Sequence, residues 1–286
     1  MPLIIGKIYS NDTTVINLQQ KRLYTIPDKI YSLINLNTLN LKYNKIDEIP
    51  EEINQLVNLC RLNIGYNAIY DIHPSIDLLQ NLVELNLDHN KLTYIPLCIF
   101  NLTNLEILSL NNNKITKIPE EISQLTKLKR LNLYNNSITT IPDCVCGNSL
   151  TELTHINLNG NDITNIPTEI KNLSNLVSFI AGNNYIKTIP KEIFSLQKLK
   201  CLRLSSNNIQ QIPQEAINIP SGCDFNIYSN PLDDIKLKHL SRHSISFVRL
   251  MKEHNMKLKK CIKDIAAIRI QFWLKYWINN RVKKTI

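Results

Sequence analysis

The chain has 286 residues, 33 Lys and Arg against 24 Asp and Glu, a formal charge of +9 and only 6 glycines. No run approaches the roughly eighteen consecutive apolar residues of a membrane span, and the apolar run within residues 1–12 is too short for a signal peptide. No phosphate-binding loop, dinucleotide fingerprint or kinase-type sequence is present, so composition and motifs point away from an enzyme.

Residues 1–12 read as an N-terminal cap segment. From Thr13 to residue 235 the chain follows one frame, close to L-x-x-L-x-L-x-x-N-x-I-x-x-I-P. Asn44, Asn67, Asn90, Asn113, Asn136, Asn161, Asn184, Asn207 and Asn230 recur every 23 residues, with one interval of 25. A fixed period in this range predicts stacked repeats: nine full ones and a partial tenth. Around Asn113, the Leu108-x-Leu110 alternation reads as a short strand with one buried face. A lone repeat cannot bury that face, so neighbours stack into one elongated core. The recurring Asn sits where the chain turns inward, and its two donors and one acceptor suit a ladder that satisfies backbone groups of successive turns.

The first repeat departs from the frame with Lys21 in the Asn position, as expected of a terminal unit. The Ile-Pro that ends each frame, as in Pro50-Glu51-Glu52 and Pro119-Glu120-Glu121, predicts a short helix with Pro at its first position and acids in its first turn. In the third repeat His73 displaces that proline onto Pro74. Residues Asp143 to Ser149, with Gly147 and Cys144-x-Cys146, read as a surface loop on the convex side; the two cysteines lack the spacing and partners of a zinc site.

The L-x-x-L-x-L-x-x-N core over about residues 13–235 resembles the leucine-rich repeat family. That resemblance implies an α/β solenoid, a horseshoe with a parallel concave β-sheet and short helices or 3₁₀ turns on its convex side. The Ile-Pro-x-x-Ile-x-x-Leu consensus is similar to that of cytosolic members that act as scaffolds around small GTPases and phosphatases. The seven cysteines are odd in number, scattered, and lack the clustered caps of extracellular members; free thiols in an intracellular, cytoplasmic chain are expected.

In this register the x positions flanking each L-x-L form the concave face. One column reads Asn17, Asn40, Asn63, Asn86, Ser109, Asn132, Asn157, Ile180, Arg203 and Asn226, a second Asn file expected to face solvent. Beside it or near the strand ends lie Tyr43, Tyr66, His89, Tyr134, Tyr185 and Tyr228. Arg61 and Arg130 occupy a neighbouring column, and Ile107 and Ile180 add apolar spots. Exposed Tyr and Arg on a rigid curved sheet are what protein-binding hot spots favour. The competing reading is that these side chains stack on one another along the repeats, Tyr43 over Tyr66 for example. His73, His89 and His155 sit in different repeats without a matching nucleophile and carboxylate, so no catalytic set is expected and no cofactor is implied.

Charge is unevenly divided. Residues 1–235 carry 19 basic and 22 acidic side chains, a balance of −3, whereas residues 236–286 carry 14 and 2, a balance of +12. Residues 236–286 lack Pro and Gly, which predicts an α-helical, basic cap and tail. Ile235, Leu237, Leu240, Ile245, Phe247, Val248 and Leu250 are suited to cover the open edge of the last repeat. Further on, Ile270, Gln271 and Lys275 resemble the opening of an IQ motif. Tyr276 and Asn280 stand where Gly and Arg are usual, and Arg281 falls one place late. The resemblance implies a calmodulin or calmodulin-like partner. Independently, Phe272, Trp273 and Trp277 on a basic helix suit an acidic groove or an anionic membrane. Three readings stay open for this segment: calmodulin-like binding, packing as part of the cap, and contact with nucleic acid or anionic membrane. Together the sequence predicts a monomeric, non-enzymatic module that binds a protein partner on its concave face, with the tail as a second docking element. The alternative is a polyanion binder acting through the tail.

Overall fold

The computed structural model describes residue 10 and residues 12–232. The predicted N-terminal cap, and the tail with Ile235 to Leu250 and the IQ-like segment, fall outside the described residues apart from Ser10 and Asp12. Each repeat opens with a three-residue strand: β1 (Val15–Asn17) and β2 (Thr38–Asn40) lead the series. In chain order there follow β3 (Glu48–Ile49), β4 (Arg61–Asn63), β5 (Asp71–Ile72), β6 (Glu84–Asn86), β7 (Ile107–Ser109), β8 (Arg130–Asn132), β9 (His155–Asn157), β10 (Ser178–Ile180), β11 (Cys201–Arg203) and β12 (Asp224–Asn226). Ten of these make one parallel sheet in the order β1-β2-β4-β6-β7-β8-β9-β10-β11-β12. The pairing is in strict register, so Leu39, Leu62, Leu85, Leu108 and Leu131 form one column.

The strands are short because only their middle residue needs to point inward. Leu62, Leu85 and Leu131 are wholly buried, while both flanking residues look out. The return segments form 3₁₀ turns such as Glu51–Gln55, Glu120–Gln124 and Lys191–Ser195, which stack repeat on repeat as the strands do. Between the two layers runs a continuous core of Leu, Ile and Phe. The result is the curved solenoid expected from the period.

Two local expectations need correction. The proline does not stand at the first position of the turn but caps it: Pro50 and Pro119 are extended, at φ −82° and −66°, and their carbonyls accept from Ile53 and Ile122. Proline serves there because its ring sets an extended entry and no backbone donor is required. The segment Asp143 to Ser149 is not a free loop. Asp143–Cys146 is itself a 3₁₀ turn, with Val145 and Cys146 buried in the core; the two extra residues of this repeat fall within Gly147 to Ser149. Burial pushes the Cys146 thiol up to about 12, the behaviour of a packing residue.

The third repeat is different for a covalent reason. His73 has the backbone N–H that proline lacks, and it donates to the Ile49 carbonyl at 2.8 Å. That bond closes a second, two-stranded sheet of β3 and β5 on the return side, which no other repeat forms among the described residues. Pro74 then takes the first turn position and His73 becomes the cap, its Nδ1 accepting from the Ser75 N–H. No helix among the described residues is long and apolar enough to cross a membrane.

Candidate interaction surface

The surface rests on the ladder. Asn113 is nearly buried; its Nδ2 donates to the carbonyls of Leu110 in its own repeat and Leu87 in the one before, and its Oδ1 accepts from the Leu92 N–H. Asn67, Asn90, Asn136, Asn161, Asn184, Asn207 and Asn230 repeat this pattern. In the first repeat, where Lys21 replaces the Asn, the Lys21 and Leu23 N–H groups both donate to Asn44 Oδ1.

The second Asn file has a role that its sequence position did not show. It is half-buried rather than fully open, and its oxygen accepts from the N–H two residues on, as Asn40 does from Lys42, Asn86 from Asp88 and Asn157 from Asn159. These local turns bend the chain out of the strand. Where Ser109 interrupts the file, Asp88 of the preceding repeat substitutes: its Oδ1 accepts from both the Ser109 hydroxyl and the Asn111 N–H. Ser109 is consequently buried, and Asn111 passes the same service forward by accepting from the Tyr134 N–H.

The six predicted aromatic residues divide among three columns. Tyr43, Tyr66 and His89 share the residue before the ladder Asn, with φ of 58°, 55° and 53°. Bulky residues rarely adopt this left-handed conformation. It is held here because each N–H donates to the next repeat, Tyr66 to the Asp88 carbonyl and His89 to the Asn111 carbonyl, both at 2.7 Å. The rings stack, Tyr43 on Tyr66 at 4.3 Å and Tyr66 on His89 at 3.8 Å, with Lys42 Nζ over both tyrosines. Asn135 Nδ2 donates to Asn112 Oδ1, which leaves Asn112 Nδ2 to face His89 Nε2 at 3.0 Å. The His89 ring packs against Asn112 there and continues the shelf. Tyr134 and Tyr228 stand one residue earlier, at the top of their strands, and are exposed. Tyr185 follows the ladder Asn184 and is 54% exposed.

On the strands, Arg61, Ile107 and Arg130 align in one column with Glu84 and His155. Arg61 is within 3.8 Å of Glu84, and Arg203 makes a bond of 2.8 Å to Asp224. Arg130 is exposed with no carboxylate partner among the described residues. Beside it, His155 donates from Nδ1 to Thr154, whose hydroxyl is committed to the Lys129 carbonyl. Burial, and next the Arg130 charge, lower the His155 pKa, so this part of the face carries one positive charge rather than two. Ile180 is half-buried on β10. The tail residues Ile270, Gln271, Phe272, Trp273, Lys275, Trp277 and Arg281 lie outside the described residues.

The leucine rich repeat family model matches residues 13–69, 34–92, 57–115, 80–138 and 103–163, which together span more than half the chain. Among solved structures, a leucine-rich repeat protein of Leptospira interrogans is 33% identical with a TM-score of 0.75, over 81% of this chain and 58% of that one. The functional domain of InlJ from Listeria monocytogenes shares the fold at 24% identity and a TM-score of 0.68, over 81% of this chain and 47% of that one. The Arabidopsis receptor kinase HAESA, solved with the peptide hormone IDA and the co-receptor SERK1, is 25% identical with a TM-score of 0.69, over 77% and 38%. The chain thus spans less than two thirds of each of these neighbours. No curated protein matches it.

Proposed function

The chain belongs to the leucine-rich repeat family, and from that premise we propose that it is a non-enzymatic adaptor that grips a protein partner on the concave face of its repeats. The observation that carries the reading is the set of outward side chains on the ten-stranded sheet. A stacked Tyr43–Tyr66–His89 shelf, an exposed Arg130 and an exposed Tyr134 stand on a backbone whose polar groups are already satisfied by the ladder. Aromatic and Arg anchors on a rigid support bind with little ordering cost. HAESA, a structural neighbour, holds a peptide hormone and a co-receptor, which supports a protein or peptide as the class of partner. Arg61 and Arg203 contribute less, because each already has a carboxylate neighbour.

In this reading the molecule is a cytoplasmic monomer divided into a cap (1–12), the repeats (13–235) and a basic tail (236–286). The tail is a second docking element, with Ile270 and Gln271 meeting a calmodulin-like protein. The test is affinity capture of the full chain from cells, with identification of what is retained. Tyr66→Ala, Arg130→Ala and Tyr134→Ala combined should abolish retention while leaving the unfolding midpoint unchanged; undiminished retention would sink the concave-face reading. The charge of +12 in residues 236–286 favours a second reading, a polyanion binder acting through the tail. Binding to nucleic acid or anionic vesicles that collapses steeply with salt, and ignores the concave substitutions, would establish that reading instead.

A further inference from the structure

The return side of the second to fifth repeats holds a cleft of about 650 Å³, within the range of ligand sites. Its apolar part is built from Ile49, Ile72, Pro74, Pro96, Leu97 and Tyr94. Leu97 and Tyr94 are 57% and 53% exposed, so apolar surface is open to solvent within the cleft. His73 lines the cleft where β3 pairs with β5, and the turn at Leu97–Asn101 follows beside them.

Around this floor stand Glu48, Asp71, Asp77 and Glu121. No Lys or Arg lines the cleft, and none of the three ion pairs among the described residues uses these carboxylates. Tyr94 Oη donates to Asp71 and Asn101 Nδ2 to Asp77, which orients the two carboxylates without neutralising them. Their field is felt inside the cleft: Asp71 raises the Tyr94 pKa, and burial followed by Asp77 raises that of Cys98.

We propose that this cleft is the docking site for the chain's own basic, Trp-bearing segment, residues 261–284. The match is one of kind on both counts. Phe272, Trp273 and Trp277 supply apolar side chains for the floor, and Lys275, Arg281, Lys283 and Lys284 supply the cations that its rim lacks. Reach is sufficient: seven strand spacings separate β12 from β5's repeat, about 35 Å at the sheet, whereas the residues between Leu232 and Ile270 span up to about 120 Å when extended. An external partner with a cationic segment would have to displace a tail held at high effective concentration. The inference concerns the side of the solenoid opposite the concave face and stands apart from the reading given for that face.

Both tryptophans of the chain, Trp273 and Trp277, lie in this segment, so their fluorescence reports on it alone. In the full chain at low salt, acrylamide quenching should be weak and should rise about threefold in 0.5 M NaCl. Asp71→Asn, Asp77→Asn and Glu121→Gln combined should produce the same rise at low salt, with the circular dichroism of the repeats unchanged. Carbodiimide should join Lys275 or its neighbours to the cleft carboxylates within one chain, as judged from mixed light and heavy isotopes. Equal quenching in wild type and variant overturns the proposal. So do cross-links only to acids elsewhere, as a tail serving as an end cap would give, or only between two copies.

Discussion

Two asparagine files that look alike in sequence do different work. The ladder Asn sits inside the turn, and its removal leaves a buried backbone N–H without its partner; the strand-end Asn commonly closes a local turn at the surface. Asn113→Ala strands the Leu92 N–H and takes one of two amide donors from each of the Leu87 and Leu110 carbonyls, which keep Asn90 and Asn136, so a loss of about 1–3 kcal/mol is expected. Asn157→Ala, which gives up only the local turn contact from the Asn159 N–H at 3.2 Å, should cost under about 1 kcal/mol. Urea unfolding of the two variants checks the difference. The period makes the first file legible. The second was misread as free surface because a turn contact two residues away carries no period of its own. The Asp88 substitution for Ser109 was equally hidden, since donor and acceptor lie 21 residues apart.

At the scale of elements, strand and return segment follow from spacing, but their ends follow from backbone chemistry. Proline in the frame forbids a hydrogen bond between return segments at that position, and His73 permits it. His73→Pro should therefore dissolve the β3–β5 pair and lose its cap contact to Ser75. The cost should be about 1 kcal/mol, small because the neighbouring repeats fold with proline there. Amide exchange at Tyr70, which donates to the Asp47 carbonyl beside the pair, should quicken in that variant, and unchanged exchange would show that the pair contributes no rigidity. The same chemistry explains why the aromatic shelf runs only from Tyr43 to His89: beyond it the left-handed position is held by Asn112 and Asn135, whose amides carry the row on as hydrogen bonds.

At the scale of the whole solenoid, contacts between elements among the described residues join adjacent repeats, so a defect should stay local longer than in a globular core. Leu108 is wholly buried in the middle of the sheet. Leu108→Ala should cost about 2–5 kcal/mol and speed amide exchange first at β6, β7 and β8, with β1 and β12 least affected. Uniform acceleration along the chain would mean that the solenoid opens as a single unit. The charge division belongs to this scale too, because a weakly acidic solenoid with a polarised cleft and a strongly basic tail can act on itself as well as on a partner.

What the sequence determined unaided was the period, and with it the strand column, the buried Leu and Ile positions and the Asn ladder, since each depends on a neighbour one repeat away. Only the tertiary structure decided which outward side chains share a surface. Tyr43, Tyr66 and His89 meet while Tyr134, Tyr185 and Tyr228 fall into other columns, because a shift of one residue around a tight turn redirects a side chain altogether. Only the tertiary structure, too, revealed the cleft beside His73, where the His73 N–H joins two return segments that proline would leave unbonded at that position.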